Sequence, residues 1–461
     1  MYKFNLTPKK VEKIKTANRI ISTLIPPQKT VDILTQLSSC EPSSMQNELP
    51  VLWDHAINYK IFDASGNCWI DFSSGIFVTN VGHGNPHIQK ALLNSLKIPL
   101  LHNYYFPSEI RSKLVTTLKK LLPKHLDTIF LLTTGSEATE CALKILRINS
   151  LKKDKNRLGV ISFNGAMHGK TLGGLMLGGK TKEKYWIGYH DPNIHHIPFP
   201  YGLTCPWNND KNHLCDAICF QKSIEKLKKK VDLKTIAGIM IESYQGWGAM
   251  FYPKKYMDEI VKWAKSKNIL LIFDEIQSGF GRTGKLFAFE HYDVIPDIVC
   301  LGKGISSSLP LSAVVANRKL IDVDPSLNST HSGNPLCCAA TLASLEVIKK
   351  ENLVEESARK GIIIEKELQK IKKLFPDIIL DIQGKGMVHA IHFATPKTSE
   401  LNPEIGDKII ERCMEKGVLM IRTGMGTIKI GPPLTISDDA LVEGLNVLTN
   451  AINEICDEMY S

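Results

Sequence analysis

Apolar residues recur along the chain in two rhythms. Between Asp127 and Lys349, short runs are apolar almost throughout: Asp127–Leu132, Gly159–Phe163, Lys234–Ile241, Ile269–Phe273, Ile298–Leu301 and Leu311–Ala316. Runs of this length bounded by Gly and polar residues predict strands buried on both faces. Ala138–Arg147, Tyr256–Lys267 and Leu336–Lys349 instead repeat apolar positions three and four apart, the helical spacing. The alternation predicts an α/β fold with a large, mainly parallel sheet. From Lys350 the pattern shifts to a charged helix, Glu355–Leu374, and then a mixture. A strand at Met387–Phe393, a helix at Ile405–Lys416, short strands at Val418–Ile421 and Thr427–Ile430, and a closing helix at Ala440–Asp457 predict a small α+β domain. Near the start, Tyr59–Asp63 and Cys68–Phe72 alternate about Ala64-Ser65-Gly66, a hairpin signature. Val11–Leu24 reads as a surface helix stopped by Ile25-Pro26-Pro27. The expected division is an arm and hairpin over 1–80 that join the small domain, a large domain over 81–349, and a small C-terminal domain over 350–461.

Composition changes this picture little. The chain has 461 residues, 43% hydrophobic and 23% charged, an ordinary globular mixture. The net charge of +10 sits in short runs such as Lys9-Lys10, Lys152-Lys153 and Lys228-Lys229-Lys230, which read as solvated faces. No basic stripe is interleaved with aromatics, so no nucleic-acid partner is expected. No apolar run reaches the length of a membrane span, so no membrane is expected either. The 11 cysteines are scattered and odd in number, without CxxC, and predict reduced thiols in the cytoplasm. Cys205, His213, Cys215 and Cys219 share a loop-rich insert. The nine residues between Cys205 and Cys215 fit no standard knuckle spacing, so no metal is expected.

The chemistry lies in Asn268–Pro310. One apolar run there ends in Asp274 and the next runs into Gly302-Lys303-Gly304. In open α/β sheets ligands bind beyond the carboxyl ends of the strands, so an acid and an amine are expected at one rim. A lysine between glycines at the end of a buried strand has little water around it. Desolvation lowers its pKa, as a Schiff-base lysine requires. At the same rim, Thr134 and Glu137 have the spacing of a capping box. Gly135 and Ser136 then present bare N–H groups at a helix start, which is either an ordinary cap or a seat for a phosphate. His168 and Lys170 follow another strand and are candidates to face the site.

Together these motifs resemble the class III (ω-amino acid) aminotransferases, which use pyridoxal 5'-phosphate on the type I transferase fold. The resemblance runs from about Val51 to Met459. It rests on Asp274-Glu-Ile-Gln-Ser-Gly-Phe-Gly-Arg-Thr-Gly284, the lysine nineteen residues beyond, Thr330-His-Ser-Gly-Asn-Pro335, Thr134-Gly-Ser-Glu-Ala138 and Gly431-Pro-Pro-Leu434. It implies that Lys303 forms the Schiff base and shuttles a proton. Asp274 would pair with the pyridine nitrogen, Gln277 would meet the phenolic oxygen, and Gly135 and Ser136 would cradle the phosphate. Met167 and His168 would lie against the cofactor, and Glu242 would support the site from behind. Thr330 would reach the phosphate of the partner subunit in a homodimer with shared sites. The reaction implied is amino transfer from a primary amine or amino acid to an oxo acid. An amino-acid racemase or epimerase on the same fold is the alternative.

Four positions depart from the family pattern. Met167 stands where an aromatic ring usually stacks, and Lys170 where an arginine often grips a carboxylate. Trp247 replaces the glutamate, and Lys429 the arginine, of the pair that makes room for glutamate in the 4-aminobutyrate and ornithine enzymes. With Ile76, these residues are expected to shape the substrate side. A buried Lys429 lacking its Glu partner calls for a substrate anion, held by Lys429 or Arg422. The expectation is a donor–acceptor pair other than glutamate and 2-oxoglutarate, or one gripped differently.

Overall fold

The structure is a computed structural model that describes residues 2–208, 210, 213–396, 398 and 400–460. The chain divides into two compact units. A central unit comprises His87–Gly246 and Met250–Glu351; a terminal unit comprises Met1–Pro86, Trp247–Ala249 and Asn352–Ser461.

The central unit is built on a seven-stranded sheet. Its spatial order is Thr128–Leu132, Ser312–Ala316, Ile298–Leu301, Leu270–Asp274, Ile236–Glu242, Gly159–Phe163 and Ile194–Ile197. Ser312–Ala316 runs antiparallel to both its neighbours, and the remaining pairs are parallel. Asp274 is in register with Glu242 on one side and Cys300 on the other, so three adjacent strands end side by side. The helix Gly135–Leu151 lies across the sheet. Its Ala138, Ala142, Ile145 and Leu146, spaced three and four apart, pack with Val160, Met240, Ile272, Cys300 and Val314 from five strands. That packing fixes the helix start relative to the carboxyl ends of the strands.

The terminal unit holds two sheets. In one, Ile14–Lys15, Ile20–Ile21, Cys68–Asp71, Lys60–Phe62 and His55–Ile57 lie in that order, and Val418–Leu419 runs parallel to Cys68–Asp71. The other orders Ile379–Lys385, Val388–Phe393, Thr427–Ile430 and Ile421–Arg422. Helices Leu353–Leu374, Pro403–Glu415 and Asp438–Tyr460 complete it. The helix expected over Val11–Leu24 does not form. The Thr16 hydroxyl accepts the N–H groups of Asn18 and Arg19, closing a turn between two short strands. Ile21 and Ile25 then pack against Trp69 and Met414. A side chain that bonds its own backbone competes with helix, and the isoleucines find a sheet core instead. Pro27 starts the helix Gln28–Ser38 rather than ending an earlier one.

One segment of this unit is strained. Ser74, Gly75, Ile76 and Phe77 have φ values of 50°, 56°, 62° and 65°, one left-handed turn of four residues. L-residues resist this at roughly 1–2 kcal/mol each, and a β-branched residue such as Ile76 resists most. The turn is held by the Ser74 hydroxyl, which donates to the Gly431 carbonyl at 2.6 Å, and by burial of the Phe77 ring.

Candidate active site

A cavity of about 430 Å³ lies in the central unit, and residues from five strand ends and the loops beyond them line it. Thr134, Gly135 and Ser136 follow the first strand of the sheet in sequence. Met167, His168, Gly169 and Lys170 come from the loop after Gly159–Phe163, and Glu242 and Tyr244 from the end of Ile236–Glu242. Asp274, Ile276, Gln277 and Ser278 come from the end of Leu270–Asp274, and Lys303 from beyond Ile298–Leu301. All are at the carboxyl ends of their strands, the rim where an α/β sheet binds its ligands.

Asp274 is held from two sides. His168 Nδ1 lies 2.8 Å from Oδ2, and the Ile276 N–H donates to Oδ1 at 3.1 Å. His168 is itself buried, and among the described residues its Nε2 has no hydrogen-bond partner. One carboxylate is thereby fixed in orientation at the floor of the cavity. Glu242 accepts the N–H of Met167 at 3.1 Å and that of Gly246 at 3.0 Å. Its pKa is pushed up to about 7, mainly by burial, with the charge of nearby Asp274 adding to the rise. Glu242 therefore acts as a brace that fixes two loops.

Lys303 adopts φ 45°, a left-handed conformation in a residue that is not glycine. Its side chain opens partly into the cavity and protein encloses the rest. The enclosure lowers its pKa below the ordinary lysine range, against the raising effect of Asp274 and Glu242. A neutral, nucleophilic amine is thus easier to reach here than on the surface.

The start of the helix Gly135–Leu151 is capped reciprocally. Thr134 Oγ1 accepts the Glu137 N–H at 3.2 Å, and Glu137 Oε2 accepts the Thr134 N–H at 2.8 Å. The N–H groups of Gly135 and Ser136 are left directed beyond the helix start, where an anion is favoured. Gly169 lies so close that a Cβ there would meet Ser136 Oγ at 2.5 Å, and its φ of 126° also requires glycine. Tyr244 donates to Gln277 Oε1 at 3.1 Å, which makes the amide nitrogen the donor end of Gln277. Glu275, which the sequence did not single out, is fully buried behind this wall. It accepts from Ser278 Oγ at 2.7 Å, Ala288 N at 2.9 Å and Phe289 N at 2.8 Å, and also from the Ser243 hydroxyl.

A family model described as aminotransferase class-III matches residues 43–452. The chain belongs to the class III aminotransferases. The ornithine aminotransferase 1 of Staphylococcus saprophyticus is 34% identical to it over 403 residues, 86% of this chain and 93% of that protein. The probable 4-aminobutyrate aminotransferase of Bacillus subtilis is 33% identical over 402 residues, 84% of this chain and 90% of the relative. Among solved structures, an (S)-enantioselective ω-transaminase from Thermomicrobium roseum superposes with a TM-score of 0.82 at 26% identity. That match covers 93% of this chain and 99% of the other. This class III aminotransferase is an enzyme dependent on pyridoxal 5'-phosphate on the type I transferase fold. Its cavity fits that cofactor in kind. A fixed carboxylate suits a protonated ring nitrogen, a helix start suits a phosphate, and an amine of lowered pKa suits an aldehyde.

The sequence-predicted residues fall into two groups. Gly135, Ser136, Met167, His168, Lys170, Asp274, Gln277 and Lys303 line this cavity. Thr330 belongs to the central unit but lies on an exposed turn and is not among the lining residues. Ile76, Trp247 and Lys429 belong to the terminal unit. There the Trp247 carbonyl accepts from Thr427 Oγ1 at 3.1 Å, and its indole lies 5.7 Å from the His392 ring. Lys429 is buried, and its ammonium lies over the buried Phe77 ring, 4.5 Å from the centroid. Arg422 does not stand ready for an anion, because Asp407 takes its guanidinium through two bonds of 2.6 and 3.0 Å.

Proposed function

We propose that this aminotransferase moves an amino group from a primary amine or amino acid to an oxo acid, with Lys303 as the residue that holds the cofactor covalently. The observation that carries the reading is one cavity lined by Lys303, Asp274 and the Gly135–Ser136 helix start. When bound, pyridoxal phosphate supplies an electron sink for charge that develops on the substrate carbon. The chain's residues do the rest. Asp274, held by His168 and the Ile276 N–H, keeps a proton on the ring nitrogen. Gln277 would donate from its amide nitrogen to the phenolic oxygen, and Gly135 and Ser136 would hold the phosphate through backbone N–H groups. Lys303 would hold the cofactor at its aldehyde carbon through the side-chain amine, and the same amine would move the proton released by the substrate carbon. Met167 would offer its thioether to the ring, and Lys170 would offer a cation at the rim.

Two chains act together in this reading, with Thr330 of the partner subunit completing the phosphate site, and the enzyme works in the cytoplasm. A mass in solution of twice the chain supports the pairing; a monomer with full activity contradicts it.

The curated relatives are named for 4-aminobutyrate, acetylornithine and ornithine, so they support a donor class rather than one donor. With Trp247 and Lys429 in place of a Glu–Arg pair, and Lys429 seated on Phe77, we assign the preferred pair outside glutamate and 2-oxoglutarate. A half-reaction screen on the holo-enzyme tests this. Alanine, 4-aminobutyrate, ornithine and glutamate are mixed in turn with the enzyme, and conversion of the bound cofactor to its amine form is followed by absorbance. The reading expects glutamate to be slower than the best of the others; glutamate as the fastest donor contradicts it.

A further inference from the structure

The insert between the edge strand Ile194–Ile197 and the helix Ala217–Lys228 contains a cluster that the amino-transfer site does not use. Cys205, His213, Cys215 and Cys219 each point one ligand atom inward, and these four atoms all lie within 4.8 Å of one another. Cys205 Sγ is 3.9 Å from Cys219 Sγ, and His213 Nε2 is 3.0 Å from Cys219 Sγ. Cys215 and Cys219 are buried, whereas Cys205 and His213 are partly exposed. None of the four lines the cofactor cavity.

Nine residues separate Cys205 from Cys215, longer than a standard zinc knuckle. Cys205, His213, Cys215 and Cys219 nevertheless converge, although their spacing follows no familiar pattern. On the other side, Cys215 and Cys219 flank the helix start. Asp216 caps that helix, accepting from Ile218 N at 2.9 Å and Cys219 N at 3.3 Å, and so fixes where Cys219 points.

We propose that Cys205, His213, Cys215 and Cys219 bind one zinc ion, which staples this insert to the helix Ala217–Lys228. Three thiolates and one imidazole are a zinc donor set. Tetrahedral coordination with Zn–S of about 2.3 Å and Zn–N of about 2.0 Å separates the ligand atoms by about 3.5–3.8 Å. The Cys205–Cys219 separation already matches, and the His213 side needs to open by about half an ångström. Ligand atoms this close together suit a single ion rather than an iron–sulfur cluster, whose thiolates lie on different irons. Four protein ligands leave no open position for substrate, so the ion is structural. On binding, the three thiols release their protons to solvent and the imidazole coordinates through Nε2.

The test uses the full-length holo-enzyme, produced with zinc in the medium, freed of loose metal and analysed for metal per chain. The expected result is about one zinc per chain, a closed structural site. Exchange of cobalt(II) for zinc should give the intense ligand-field bands of a tetrahedral cobalt–thiolate site, at longer wavelength than the cofactor absorbs. Cys215→Ser and Cys219→Ser should lose both metal and bands while keeping the cofactor absorbance, and Cys40→Ser, outside the cluster, should keep all three. The cobalt spectrum of the unmutated chain needs no variant to fold. Wild-type enzyme with neither zinc nor cobalt–thiolate bands overturns the proposal, as does a Cys205–Cys219 disulfide found by peptide mapping of the purified protein. Neither outcome bears on Lys303.

Discussion

The ammonium of Lys429 lies 4.5 Å from the centroid of the Phe77 ring, with both residues buried in the terminal unit. A desolvated cation over a ring face gains about 0.5–2 kcal/mol. A double-mutant cycle with Phe77→Leu and Lys429→Met, read by chemical denaturation, should give a coupling free energy in that range. Coupling indistinguishable from zero would mean that the ring does not hold the lysine.

The same turn makes a second prediction. Ile76 is β-branched at φ 62° and 43% exposed, so its side chain adds strain and little burial. Ile76→Gly should raise the unfolding free energy by up to about 1 kcal/mol, because glycine takes the left-handed region without penalty. If Ile76 shapes the substrate side, the same variant should raise KM more than it lowers kcat. Loss of stability on substitution would show that the isoleucine packs better than its exposure suggests.

Much of the central unit was legible because parallel strands buried on both faces have to be apolar. A run such as Ile298–Leu301 has few other readings, and the polar residue that ends it falls at the functional rim. Lys303 and Asp274 were found that way. His168 was placed at the rim, but its bond to Asp274 was not foreseen, since 106 residues separate them and their strands lie on opposite sides of Ile236–Glu242 in the sheet. The N-terminal segment failed for a different reason. Val11–Leu24 carries helix-like spacing, and the Thr16 hydroxyl together with isoleucines bound for a distant sheet decided the matter. Cys205, His213, Cys215 and Cys219 follow no knuckle spacing, and spacing alone does not register that their ligand atoms lie within 4.8 Å of one another.

Glu242 should give stability a distinct pH dependence. Burial holds its carboxyl at about 7, above the ordinary 4.5 of the unfolded chain. Between those values the folded chain keeps a proton that the unfolded chain has released. The stability from that proton is complete below pH 4.5 and is lost as pH rises through about 7. Removing the group with Glu242→Gln should flatten this loss. In the cofactor-free protein, the difference in unfolding free energy between wild type and variant should shift by about 3 kcal/mol in the variant's favour across that window. A difference that stays flat from pH 4 to pH 8 (about the range a fold of this kind tolerates) would place the Glu242 pKa elsewhere.

Asp274→Asn removes the charge that the ring nitrogen would meet while nearly preserving shape. The expected outcome is a fall in kcat of about 10²- to 10³-fold, the scale of losing one fixed electrostatic partner. The cofactor should remain bound, since the helix start and Lys303 are untouched. Activity within a few-fold of wild type would remove Asp274 from the chemistry.

The role of Lys303 is the centre of the account, and borohydride reduction of the holo-enzyme followed by peptide mapping tests it most directly. The account predicts that reduction abolishes the cofactor's native absorbance and leaves a stable pyridoxyl group on Lys303, with none on Lys170. Lys303→Ala should yield no labelled peptide and no turnover. A label on another lysine, or a Lys303→Ala enzyme with wild-type turnover, would contradict it.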